Sequence, residues 1–229
     1  MYKQWLKRCE LTYIYLTMAI AKNGLFGSHT GKVGNLVYYE LNGKNVVREI
    51  GKNTKPSTEK QLKVQMETEL MSSFFSKVLP FIRVGFSIAQ LGTALNAHNI
   101  GMKQPRELII KGLYPDLGLA FDQIVLSTGK LTPAVEPEVA QVAEGLRFSW
   151  HTDPQMEWPA SNDQVMMLAY FPEEEVIAYQ LFGSNRLSGT DVLDIPEILQ
   201  DKYMETYISF VAADRKDLAN STYMGSFNL

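Results

Sequence analysis

Asn42-Gly43, set inside "NLVYYELNGKNVVREI" (35–50), constrains this chain more than any other dipeptide in it. A two-residue hairpin turn needs positive φ at its central positions to match the twist of the strands it joins, and Asn-Gly meets that demand at little cost. The flanking Val and Tyr residues favour strands. The turn also sets the register: Leu41 faces Lys44, Tyr39 faces Val46, Tyr38 faces Val47, Val37 faces Arg48 and Leu36 faces Glu49. Both faces of this ribbon then carry an aromatic–aliphatic pair, worth a few tenths to about 1 kcal/mol. Two half-apolar faces predict a ribbon covered on both sides, by the rest of the fold or by another subunit.

The ribbon decides how the preceding "GLFGSHTGKVGN" (24–35) is read. A Walker-type phosphate loop needs four residues between its outer glycines, then Lys, then Ser or Thr, with a strand before and a helix after. Here Gly27 and Gly31 enclose three residues, Lys32 precedes Val33, and strand-forming sequence follows. The glycines are therefore expected to serve tight turns or close backbone approach.

"GKNTKPSTEKQL" (51–62) reads as a linker and a helix start, with Thr58 and Gln61 forming a capping box behind Pro56. Leu62, Met66, Leu70 and Phe74, widened by Phe75, Val78 and Leu79, predict a core-facing stripe that Pro80 ends or kinks. Ser57 and Lys60 spell S-x-x-K, but "SND" (161–163) and "STGK" (127–130) do not supply the companion motifs of the serine β-lactamases. A second helix is expected within 86–104, and "AFDQIVLSTGKLTP" (120–133) reads as a strand and turn.

From Pro133 the text changes to short alternating strands joined by turns, the pattern of an antiparallel β-sandwich. Charge changes at the same place. Residues 1–132 hold 17 Lys/Arg against 9 Asp/Glu, and residues 133–229 hold 5 against 16. Such opposition predicts two units: a basic hairpin-and-helix region over 18–132 and an acidic sandwich over 133–229. It fits a basic unit docked on an acidic one, head-to-tail association, or an anionic partner for the basic half.

Residues 1–17 precede a second methionine, Met18. Lys3, Lys7 and Arg8, an apolar "LTYIYLTMAIA" and the small residues Ala19 and Ala21 imitate a signal peptide. A mis-assigned start codon explains the stretch as well. The protein is expected to be cytoplasmic if Met18 is the start, and exported if 1–21 act as a signal. No apolar run reaches the roughly 18 residues of a membrane span. One cysteine, Cys9, excludes an internal disulfide framework, and His29, His98 and His151 lack metal-ligand spacing. No cofactor or metal is expected.

Leu146, Phe148 and Trp150 resemble strand B of a fibronectin type III-like domain, and Tyr207, Val211 and Ala213 resemble its strand F, with Ser209 departing from the pattern. The resemblance implies that Trp150 and Tyr207 are core residues and that Tyr207 forms a tyrosine corner. More widely, "KNGLFGSHTGKVGNLVYY", the helix entry at Pro56, Thr58, Glu59, Gln61 and Leu62, "FIRVGF" and "NSTYMGSFNL" resemble a bacterial family, domain of unknown function 6266. That likeness implies no activity and supports Met18 as the start.

The expected fold is α+β: an N-terminal β-hairpin plus helices, then a C-terminal fibronectin type III-like antiparallel β-sandwich. The expected function is a non-catalytic structural or interaction protein, with a protein partner or self-association, as part of an oligomer or a larger surface or phage-related assembly. The alternative is nucleic-acid or anionic-polymer binding through the basic half. Lys32, Lys44, Arg48, Lys52 and Lys55, with Tyr38 and Tyr39 beside them and Lys60 and Lys63 beyond, are the candidate contacts. "PEEE" (172–175) supplies three carboxylates, but in a turn with no apolar pocket to raise a pKa, so no catalytic residue is assigned.

Overall fold

A computed structural model describes residues 19–21, 27–51 and 55–228. Residues 1–18, with Met18 and most of the leader-like pattern, lie outside the described residues, as do Gly24 and Lys52. The chain divides into two compact units, Met1–Ser57 and Thr58–Leu229. The charge boundary at 132/133 therefore falls inside the second unit.

The first unit is an antiparallel meander of β1 (Ala19–Ala21), β2 (His29–Val33), β3 (Leu36–Leu41) and β4 (Lys44–Glu49). The β3–β4 register is the one the Asn-Gly turn predicts, from Leu36 opposite Glu49 to Leu41 opposite Lys44. Asn42 and Gly43 hold φ of 50° and 74°, the double positive φ that a side chain other than Asn, Asp or Gly resists. A second tight turn at Gly34 joins β2 to β3, with φ 54°. From His29 to Asn35 the glycine-rich segment is thus a strand and a turn, and no helix occurs among the described residues before Glu59.

The second unit begins with α1 (Glu59–Lys77). Its capping box is formed: Thr58 N–H donates to Gln61 Oε1 at 2.9 Å, and Gln61 N–H to Thr58 Oγ1 at 3.4 Å. Pro80 stands in the first turn of α2 (Leu79–Gly85), where its missing N–H costs nothing. Short helices follow at α3 (Ser87–Gln90), α4 (Ala97–Met102) and α5 (Arg106–Ile109), then a hairpin of β5 (Ile110–Leu113) and β6 (Asp116–Leu119). The expected strand after Ala120 is instead a 3-10 turn, Phe121–Gln123, and an extended segment. Side chains satisfy its backbone there: Gln104 bonds both the N–H and the C=O of Val125, and Leu126 N–H donates to Ser221 Oγ.

The remaining strands are β7 (Glu138–Val142), β8 (Gly145–Ser149), β9 (Gln164–Phe171), β10 (Val176–Gln180), β11 (Thr190–Asp194), β12 (Met204–Val211) and β13 (Thr222–Phe227), with α6 (Glu197–Gln200) before β12. They form two antiparallel sheets, ordered β11-β8-β7 and β10-β9-β12-β13. The fold is α+β and its β part is sandwich-like. Among the described residues no helix is long and apolar enough to cross a membrane.

The four-stranded sheet carries a core on each face. Val165, Met167 and Phe171 of β9, with Ile208 and Phe210 of β12, meet Leu146, Phe148 and Trp150 between the sheets. Met166, Leu168 and Tyr170 of β9, with Tyr207 and Val211 of β12, meet Phe74, Phe75, Phe81 and Phe86 of the helices. Burial on both faces explains why "VMMLAYF" shows no polar alternation. Trp150 lies between the sheets at 5% exposure, its Nε1 donating to the Arg186 carbonyl at 2.6 Å.

Two expectations are corrected. The strand F likeness puts Tyr207, Ser209 and Val211 in one phase, and in β12 that phase faces the helices; Met204, Ile208 and Phe210 face the sandwich interior. Tyr207 makes no tyrosine corner: its hydroxyl donates to the Phe121 carbonyl at 2.7 Å, across the layer boundary. The α1 stripe is core only from Met71 onward: Leu62 is 40% exposed, and Met66 and Leu70 are half-buried.

Candidate interaction face

Side chains alternate across a strand, so the registers of β1–β4 assign every residue to one of two faces. Val37 pairs with both Lys32 and Arg48, and two positions on, Tyr39 pairs with Val46 and Leu41 lies near Lys44. Lys32, Lys44 and Arg48 therefore share a face with Val37, Tyr39, Leu41 and Val46. The Arg48 guanidinium carbon sits 6.0 Å from the Tyr39 ring centre. Strand spacing puts the Lys32 and Arg48 rows about 10 Å apart across β3. No carboxylate falls on this face among the described residues.

The opposite face holds Glu40 and Glu49 with Val33, Leu36, Tyr38 and Val47. His29 belongs to it, with its ring 6.1 Å from that of Tyr38. One face is thus basic and apolar, the other acidic and apolar. Among residues 27–51 no side chain is buried. Val33, Leu36, Leu41 and Val47 are 39–53% exposed.

The structure brings together four of the seven candidate contacts: Lys32, Lys44, Arg48 and Tyr39. Tyr38 is on the other face, which strict alternation along "VYYE" already implied. Lys52 lies outside the described residues, and Lys55 is exposed beyond the sheet. Lys60 and Lys63 are on α1 in the other unit, with Lys63 3.8 Å from Glu67. The charge division between faces was within reach of the sequence, since Glu40 and Glu49 fall in the phase opposite to Lys44 and Arg48. The pairing of β2 with β3, which adds Lys32, needed the structure.

Several charged groups of the second unit are paired. Of the "PEEE" carboxylates, Glu175 meets Lys77 at 2.9 Å and Glu174 meets Lys202 at 3.4 Å. Among the described residues no group of three His, Cys, Asp or Glu side chains is placed to hold a metal ion. Glu205, 3% exposed, accepts hydrogen bonds from the Tyr203 hydroxyl and, at 2.6 Å, from that of Tyr223. Burial, then the bond to Glu205, pushes the Tyr203 phenol up to about 12 and raises Tyr223 as well. Burial also raises Tyr207, with Glu205 nearby adding to it.

Raised phenol pKa values make stability fall at alkaline pH. Below the ordinary tyrosine pKa of about 10 both folded and unfolded chains hold the proton, and the contribution is whole. Between pH 10 and about 12 the unfolded chain has lost it while folded Tyr203 keeps it, so stability declines through that window. Urea midpoints measured across it should decline less steeply in Tyr203→Phe than in the parent.

A family model described as "Family of unknown function (DUF6266)" matches residues 28–225. No curated protein and no solved structure matches the chain.

Proposed function

The chain belongs to the DUF6266 family, a family of unknown function, and on that footing we propose that it is a non-catalytic interaction protein that meets a macromolecular partner through its N-terminal sheet. One observation carries this reading: a four-stranded sheet bearing Val33, Leu36, Leu41 and Val47 on two faces leaves no side chain of residues 27–51 buried. A small sheet without a hydrophobic face packed against something is marginal in water, and contiguous exposed apolar surface marks interaction sites.

The test is a photo-crosslinking residue placed at position 41 or 47 of the full chain, one on each face, and expressed in the native cell. A control goes at Leu113, the last residue of β5, which is 83% exposed. Discrete macromolecular adducts are expected from 41 and 47. Adducts no stronger than those from 113 would remove the reading.

A second reading, an anionic polymer on the basic face, is favoured by the grouping of Lys32, Lys44 and Arg48 with Tyr39 away from any carboxylate. Phosphate contacts weaken steeply with salt. Retention of the protein on mixed-sequence DNA at low ionic strength, lost as salt is added, supports this reading, and no retention removes it.

A further inference from the structure

We infer that the partner of the N-terminal sheet is a second copy of the same sheet, stacked so that the basic face of one chain covers the acidic face of the next. The inference rests on the interaction reading above and specifies its partner. It is carried by the way the sheet segregates charge. Lys32, Lys44 and Arg48 stand on one face, Glu40 and Glu49 on the other, and both faces have an apolar centre. A nucleic acid would satisfy the basic face and leave Val33, Leu36 and Val47 in water. A second copy satisfies both.

Opposite faces meeting make a heterologous contact, which repeats rather than closing after two chains unless the rotation between copies forms a ring. The contact is small. Four strands at about 4.8 Å spacing and five residues of about 3.4 Å rise give a footprint of about 300 Å² per face. That is below the roughly 800 Å² per partner of a standard stable interface, so each contact is weak and reversible. Stacking is expected to need high protein concentration and to be opposed by salt, because exposed charges are screened beyond about 10 Å at 0.1 M ionic strength.

Light scattering on the full chain tests this. The weight-average mass should rise from the monomer's 25.9 kDa as concentration increases and fall back when salt is added. Lys32→Glu with Arg48→Glu makes both faces acidic and should hold the mass at the monomer value. Glu40→Lys with Glu49→Lys makes both faces basic and should do the same. All four side chains are exposed, and circular dichroism checks that strand content is kept. The decisive sample is the chain with all four substitutions. Its faces are again opposite in charge, so association should return, as it should when the two double variants are mixed. A wild-type mass fixed at 25.9 kDa up to millimolar concentration, or a fourfold variant that stays monomeric, overturns stacking. So does a mass increase seen only when nucleic acid is added. Adducts from positions 41 and 47 to a different protein would overturn stacking and leave the interaction reading standing.

Discussion

Arg186→Met is expected to destabilise the protein by about 3–5 kcal/mol, the usual result of removing one partner of a buried ion pair. Arg186 and Asp163 meet at 3.4 Å, with side chains 5% exposed on each side. The guanidinium also donates to the Thr132 carbonyl at 2.8 Å and the Pro133 carbonyl at 3.3 Å, and lies 3.8 Å from the Phe210 ring centre. It therefore ties the segment entering the sandwich to the sandwich core. Burial raises Asp163 even with Arg186 beside it to lower it. Without Arg186 the carboxyl rises further. A raised carboxyl keeps its proton in the folded chain after the unfolded chain has lost it, so the variant's stability falls as pH rises above about 4. Urea denaturation should thus show a deficit that is smaller at pH 5 than at pH 8. Arg186→Met with Asp163→Asn should recover part of the loss, because no charge is stranded. A single variant within about 0.5 kcal/mol of the parent would show that the pair does not carry this weight.

Phe74→Ala should cost about 3–5 kcal/mol, the range for a buried aromatic truncated to a cavity. Phe74 is 1% exposed, and its ring lies 5.0 Å from Tyr170, 5.3 Å from Phe75 and 5.7 Å from Phe121. It joins α1 to β9 and to the Phe121 turn, so the loss is felt by the whole helix-on-sheet layer. Leu62→Ala is the comparison. Leu62 occupies the same four-residue repeat three turns earlier but is 40% exposed, and should change stability by no more than about 0.5 kcal/mol. Urea midpoints at unchanged m-value read both. Equal losses at the two sites would mean that the whole stripe is core, as its periodicity alone implies.

That pair of variants marks where local pattern stops being informative. A stripe states which face of a helix is apolar; how far along the helix something covers it depends on what packs there, and burial is complete only from Met71 onward. β12 makes the same point in two dimensions. "METYISFV" is apolar enough to be a central strand, yet which phase faces which layer is invisible when both faces are buried. A family pattern laid over it chose the phase in which Tyr207 sits, and that phase belongs to the helices. Charge and packing divide the chain in different places for a related reason. Charge shifts near residue 132, but α1, α2 and the strands share Phe74, Tyr170 and Tyr207 in one core, and hydrophobic packing, not surface charge, decides what folds together.

What the amino-acid sequence determined by itself is everything set by short-range sterics and hydrogen bonds: the Asn42-Gly43 turn, the β3–β4 register, the Thr58–Gln61 capping box and the opposite placement of Tyr38 and Tyr39. Each depends on φ preferences or on side chains within a few residues. Only the tertiary structure decided the addition of β2 to the hairpin, the two-sided burial of β9 and β12, the Arg186–Asp163 pair and the segregation of Lys32 with Arg48. The β2–β3 pairs span only three to seven positions, but the other features join residues 16 to more than 80 positions apart. In the second unit, β9 and β12 are placed where both of their apolar faces are covered, one by the helices and one by the facing sheet.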